Sequence, residues 1–135
     1  HFTKPLLEKS QHGPRFVAVG SLSSVVPFPR AEAYGASKAA LEYFIKACHV
    51  DRKASKVAVS LVRPGFVSTS LTANNDFAMP FMQTVEQAAS AIVRGIERKK
   101  LIIDFPKRLA WPLRCFHLFE GLWVRWVGPK LSRQG

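Results

Sequence analysis

Tyr34 and Lys38 stand four residues apart in a run of small and apolar residues, a spacing that sets a phenol and an ammonium one above the other on a helix. A free tyrosine has a pKa of about 10, too high for ready proton exchange at neutral pH. A neighbouring cation favours the phenolate and lowers that value. A drop of roughly 3 units takes about 4 kcal/mol of differential interaction. One lysine partly screened by water falls short of that, so a second positive charge has to help. With such help the pair works as a general acid/base unit. Alone, the spacing is a weak signal, because the first turn of any surface helix can carry it.

The surrounding elements decide whether the pair is placed for chemistry. Ala36, Ala39, Ala40, Tyr43, Phe44, Ala47 and Cys48 recur at helical spacing and predict a helix over 33–53. Before it, 15–20 is a near-continuous apolar run, the pattern of a buried parallel strand. That run closes on the small-residue loop Gly20-Ser21-Leu22-Ser23-Ser24. A second buried strand is expected over 56–62, stopped by Arg63-Pro64-Gly65. An amphipathic helix follows over 84–98, with Val85, Ala88, Ala89, Ile92, Val93 and Ile96 as its apolar stripe. A third short strand is expected over 101–105, and 2–9 reads as the end of an earlier helix.

Strand, long helix, strand, helix, strand is the pattern of βαβ units, an α/β fold with a doubly wound parallel sheet. Ligands of such sheets bind outside the carboxyl ends of the strands. Ser21, Tyr34 and Pro64-Gly65 all fall at that edge. Residue order and strand topology alone bring them there.

With Ser21 thirteen residues before Tyr34, and with Tyr34-x-x-x-Lys38 and Pro64-Gly65-Phe66-Val67-Ser68-Thr69 after it, the chain resembles the short-chain dehydrogenase/reductase family over about 2–105. The resemblance implies a Rossmann-like sheet of which this chain holds the C-terminal portion. It implies an oxidoreductase that uses NAD or NADP to interconvert a ketone and a secondary alcohol, with a lipophilic substrate expected. Tyr34 would exchange the proton with the substrate oxygen and, like Lys38, contact the cofactor. Lys38 would lower the tyrosine pKa and bond the nicotinamide ribose, and Ser21 would hold the substrate oxygen. Pro64 and Gly65 would open the cofactor loop, with Val67 and Thr69 fixing the nicotinamide. Two readings of Thr69 stand side by side, this one and a cap on a short helix beginning near Ser70. Ser21 likewise reads as a turn serine, while Ser23 and Ser24 read as loop residues that bond the backbone. The loop 71–82, with Phe77, Met79, Phe81 and Met82, reads either as core filler or, by position, as a stretch that resembles the family's substrate lid.

The chain also departs from the family pattern. Its eight glycines include no pair separated by a single residue, so no phosphate-cradling loop is present. The family's catalytic asparagine has no counterpart either. The chain starts at His1 with what reads as a helix end, and we expect it to be a piece of something longer, weakly active or inactive alone. The rival reading is a non-catalytic piece that acts as a membrane-surface or protein-interaction module.

Composition bears on partners. Of 135 residues, 47% are hydrophobic, enough for one core, and 20 basic against 9 acidic residues give a net charge of +11. From Arg94 onward there are ten Lys/Arg and three Asp/Glu, a local excess of +7. That excess, with Trp111, Trp123 and Trp126, predicts a basic aromatic extension over 106–135 beside a catalytic portion over 1–105. On a single helical wheel Arg114, His117, Gly121 and Arg125 share one side and the aromatic residues the rest, which suits an anionic membrane surface and equally a helix that packs over a partner subunit or a substrate pocket. Nucleic acid is not expected, because no recognition motif accompanies the charge. Arg114, Glu120 and Arg125 keep any apolar run short of the roughly 20 residues that span a bilayer. Cys48 and Cys115 read as reduced core residues of a cytoplasmic protein, and with the four histidines they show no metal-ligand spacing. Ala39, Ala40, Phe44 and Ala47 fit a helix-to-helix face in a homo-oligomer, as the family resemblance implies, and fit core packing equally.

Overall fold

A computed structural model describes residues 13–51, 57–73 and 78–132. Three strands, β1 (Arg15–Val19), β2 (Ala58–Pro64) and β3 (Ile102–Phe105), form a parallel sheet in the order β1-β2-β3. A 3₁₀ turn (Leu22–Ser24) and helix α1 (Glu32–Val50) connect the first two strands. Between β2 and β3 lie the single turn α2 (Ser70–Ala73) and helix α3 (Val85–Glu97). The expected helix end at 2–9, Lys53 and Phe77 lie outside the described residues.

The register sets the two faces. Val19 pairs with Val62 across β1–β2, and Arg63 pairs with Asp104 across β2–β3. Alternation along β2 then sends Val59, Leu61 and Arg63 to one face and Ser60 and Val62 to the other. Ala18, Val59 and Leu61 pack with Ile45 of α1, while Val62, Ile103 and Phe105 pack with Ala88 of α3. Because both faces of β2 are covered, its run stays apolar except where a polar group has a partner. Buried Ser60 meets that condition, accepting from Arg15 at 2.9 Å and donating to the Lys100 carbonyl at 2.8 Å.

Several expectations need correction. β1 is not buried throughout: Phe16 is 38% and Val19 57% exposed, because among the described residues β1 pairs only with β2. β2 does not stop before Arg63 but runs through Arg63 and Pro64. The apolar stripe of α3 is Ala88, Ala91, Ile92, Gly95 and Ile96, and Val85, Ala89 and Val93 face outward. Gly95 explains the rotation, since a Cβ there would sit 2.6 Å from Ile103 Cγ2. A capping box starts that helix, with Thr84 Oγ1 accepting the Gln87 N–H and Gln87 Oε1 accepting the Thr84 N–H.

The C-terminal region is not one helix. Helix α4 (Lys107–Leu118) ends at Phe119, whose φ of −122° and ψ of 48° are not helical. The short α5 (Glu120–Leu122), a π-helical turn (Trp123–Val127) and α6 (Gly128–Ser132) follow. A single wheel for 106–135 therefore misplaces its residues. Trp123 is 4% exposed and donates its indole N–H to the Pro27 carbonyl, whereas Trp126 is 60% exposed. Ala110, Leu113 and Trp123 pack on Leu22, Val25 and Val26, so this region forms a core cluster with the turn after β1. Cys48 is only half-buried, though it packs against the core beside Ile45, and Cys115 is exposed on α4, so neither is the fully buried core residue expected. Among the described residues no helix is long and apolar enough to cross a membrane.

Candidate active site

The residues singled out from the sequence gather at the carboxyl ends of β1 and β2. Gly20 leaves β1 with its N–H bonded to the Val62 carbonyl at 2.7 Å. Ser21 then caps the 3₁₀ turn, its Oγ accepting the Ser23 N–H at 3.1 Å. Accepting that bond leaves the hydroxyl hydrogen for an acceptor outside the turn. Capping the turn and donating to a ligand are compatible roles for this one side chain.

Tyr34 lies in the first turn of α1 and is 53% exposed. One turn further on, Lys38 holds its Nζ 5.5 Å from the centroid of the Tyr34 ring, within cation–π range. The same ammonium donates to the Val19 carbonyl at 3.3 Å, fastening the helix to the strand two residues before Ser21. Gly35 allows the turn and the helix to approach, since a Cβ there would lie 3.3 Å from the Ser23 carbonyl oxygen.

The exit of β2 forms the second half. Pro64 pairs with Phe105, and the Gly65 N–H donates to the Phe105 carbonyl at 2.7 Å. A Cβ on Gly65 would stand 2.9 Å from Leu109 and 3.4 Å from Leu22, so glycine lets the 3₁₀ turn and α4 close over this corner. Val67 forms an isolated parallel bridge with Gln83 through its neighbours, the Phe66 carbonyl and the Ser68 N–H. That pattern turns Val67's own N–H and C=O to the opposite side. Thr69 directly precedes α2, and its carbonyl accepts the Thr72 and Ala73 N–H groups. The side chain that organises this corner is Thr72, which no motif in the sequence marks. Its Oγ1 accepts the Thr69 N–H at 2.9 Å and lies 2.7 Å from the Val67 carbonyl.

Below the site lies a charged cluster that was not anticipated. Arg63, 4% exposed, points from β2 toward α1 and pairs with Asp104 through Nε at 2.7 Å and Nη2 at 2.8 Å. Its third nitrogen lies between both oxygens of Glu42, at 2.8 and 2.9 Å. Glu42 also meets Lys46 at 2.6 Å and accepts from Ser24 Oγ at 2.6 Å. Burial by itself would raise the Glu42 pKa, but Lys46, Ser24 and Arg63 outweigh it and hold the carboxyl below its ordinary value. Burial likewise works against the Arg63 charge, and Asp104 and Glu42 overcome it. A sequence signal did exist. Arg63 and Asp104 interrupt otherwise apolar strands, and charges in such places need partners.

Two grooves are lined by residues of α1, α3 and α4. One of about 540 Å³ lies between α1 and α4 and is lined by Ser24, Glu42, Tyr43, Lys46, Trp111 and Arg114 among others. The larger, about 830 Å³, runs along α3 past Arg94, Arg98, Lys107 and Arg108, and neither groove includes Ser21, Tyr34 or Lys38. Size alone therefore does not locate the chemistry. The strand ends do.

A parallel sheet with a Tyr/Lys helix at its carboxyl edge defines one portion of a doubly wound α/β fold of the dinucleotide-binding type. The chain belongs to the short chain dehydrogenase family, whose model matches residues 1–79. An uncharacterized oxidoreductase of Myxococcus xanthus is 39% identical over 98 residues, which cover 73% of this chain and 39% of that protein. The 11-beta-hydroxysteroid dehydrogenase-like 3 of Arabidopsis thaliana is 34% identical over 118 residues, covering 82% of this chain and 37% of the relative. The crystal structure of a short chain dehydrogenase from Burkholderia cenocepacia in complex with NADP superimposes with a TM-score of 0.75 at 22% identity, covering 91% of this chain and 50% of that one. The chain thus spans less than half the length of these two curated relatives, and the likeness in structure is one of fold.

Proposed function

We propose that this chain is the catalytic C-terminal portion of an NAD- or NADP-dependent oxidoreductase that interconverts a lipophilic ketone and its secondary alcohol. Tyr34 passes the proton to or from the substrate oxygen. Lys38 stabilises the phenolate across one helical turn, and Ser21 donates its hydroxyl hydrogen to the same substrate oxygen. The cofactor supplies the hydride. The residues present suit its nicotinamide end: Lys38 lies at the strand end, Val67 turns its backbone groups away from the Gln83 bridge, and Thr69 stands next to it. The observation that carries this reading is the fastening of Lys38 to the Val19 carbonyl beside the Tyr34 ring, which sets a phenol and an ammonium at the edge where Ser21 emerges. Kinship with a hydroxysteroid dehydrogenase-like protein supports a greasy substrate, as do the exposed Phe81 and Met82 at the end of the lid.

The decisive experiment is Tyr34→Phe in the full-length protein, assayed by cofactor absorbance with a panel of cyclic and steroid ketones and alcohols. Turnover should fall at least a hundredfold, the scale of general acid/base catalysis, with the fold intact. Near-normal turnover would refute the assignment.

We further propose that the protein is cytoplasmic and meets anionic membranes through its C-terminal helices. Trp111, Leu118, Phe119, Leu122 and Trp126 are exposed there among Lys107, Arg108, Arg125 and Lys130. Exposed Ala39, Ala40, Phe44 and Ala47 on α1 support pairing with a second copy in the full-length protein. The non-catalytic alternative keeps these surfaces and predicts no turnover at all.

A further inference from the structure

The charged cluster beneath the site has no part in proton or hydride transfer, yet one of its contacts reaches the loop that carries Ser21. Ser24 places its single hydroxyl hydrogen between two acceptors, Glu42 Oε2 at 2.6 Å and the Ser21 carbonyl at 2.7 Å. Glu42 lies on α1 two turns after Tyr34 and one after Lys38, so the three side chains share one stripe of the helix. We propose that Ser24 and Glu42 are a positioning pair, tethering the turn that bears Ser21 to the helix that bears Tyr34 and Lys38.

Glu42 is suited to act as the fixed end of this tether. Arg63 holds both its oxygens, and Arg63 is itself held by Asp104 through two parallel bonds. Arg63 immediately precedes Pro64-Gly65, so the anchor is also tied to the second half of the site. The carboxylate stays ionised at neutral pH, and a hydrogen bond to a charged acceptor is stronger than one to a neutral carbonyl. Ser21 and Tyr34 come from different elements, and both must reach one substrate oxygen. Hydrogen-bond geometry tolerates only a few tenths of an ångström, so a loose turn would separate them. The Gly35–Ser23 approach limits how near the turn comes, and the Ser24–Glu42 bond keeps it from moving away.

This proposal rests on the oxidoreductase reading, and its test separates the two. Ser24→Ala removes the tether but leaves the Glu42–Arg63–Asp104 ion pairs in place. Ser24→Thr restores the hydroxyl, at a position that lines the groove between α1 and α4. In the full-length protein, Ser24→Ala should lower kcat roughly tenfold or more, as misplaced reacting groups do. KM for the cofactor should stay unchanged, amide hydrogen exchange over 21–25 should quicken, and Ser24→Thr should recover both readouts. Unchanged kcat with unchanged exchange would overturn the proposal. Faster exchange at unchanged kcat would overturn it as well, because the tether would then be structural only. If the unmodified protein turns over no substrate, the oxidoreductase reading fails, and exchange over 21–25 alone decides whether the tether exists.

Discussion

Arg63 on β2 sets its Nη1 between the two carboxylate oxygens of Glu42 on α1, with both distances below 3 Å. The contact joins the middle of a helix to the penultimate residue of a strand across the sheet face. Because Asp104 holds the other side of the same guanidinium, the three residues act as one unit. Removing one member of a buried ion cluster strands the others in a poor solvent. Glu42→Ala should therefore destabilise the protein by about 3 kcal/mol, at the lower end for a broken buried pair because Asp104 remains. Replacing all three together, Glu42→Leu with Arg63→Met and Asp104→Leu, should cost less than Glu42→Ala alone. Urea unfolding of the two variants makes the comparison.

The same cluster predicts a pH dependence. The Glu42 carboxyl is held below its ordinary value of 4.5 in the folded protein. A lowered folded pKa means that the stabilisation is fully present above that ordinary value and disappears as pH falls through the folded one. Unfolding free energy should thus decline on acidification below about pH 4.5, and Glu42→Gln should flatten that decline. A slope identical in the wild type and Glu42→Gln would show that other carboxylates govern the acid limb.

Glycine substitutions separate close packing from open space. At Gly95 an added Cβ would stand 2.6 to 2.7 Å from three atoms of Ile103, so Gly95→Ala should cost about 2 kcal/mol through overpacking. At Gly121 nothing lies within 4 Å of the added carbon, and Gly121→Ala should stabilise its short helix by a few tenths to about 1 kcal/mol. Thermal unfolding of both variants should shift in opposite directions.

Trp123 and Trp126, three residues apart, should behave unlike each other. Trp123 is buried between Phe28 and Phe116, with ring centroids 5.4 and 5.3 Å away, and its indole N–H is bonded to Pro27. Trp123→Ala should cost about 3 kcal/mol or more in stability. Trp126→Ala should leave stability nearly unchanged and weaken attachment to anionic vesicles. Arg125→Glu should weaken it too, each basic residue near such a surface contributing about 1 kcal/mol. Added salt should release the protein by screening. Co-sedimentation with anionic and neutral vesicles tests this, and equal recovery in the supernatant with both would remove the membrane from consideration.

The sequence by itself determined the main elements and the edge of the sheet at which the proposed site residues fall. Apolar runs marked three strands, helical spacing marked α1 and α3, and the four-residue step from Tyr34 to Lys38 placed a phenol and an ammonium together. These are local matters, governed by periods of two and 3.6 residues and by glycine and proline. Tertiary structure decided what depends on distant chain. Glu42 lies 21 residues before Arg63 and Asp104 lies 41 after it, so no local pattern pairs them. The stripe of α3 was set by the approach of Ile103 to Gly95, and the contrast between Trp123 and Trp126 by the break at Phe119. A wheel drawn through that break assumes a straight helix. Phe119 abandons helical geometry there, and the turn 22–24 offers Trp123 an apolar seat that only the folded chain brings within reach.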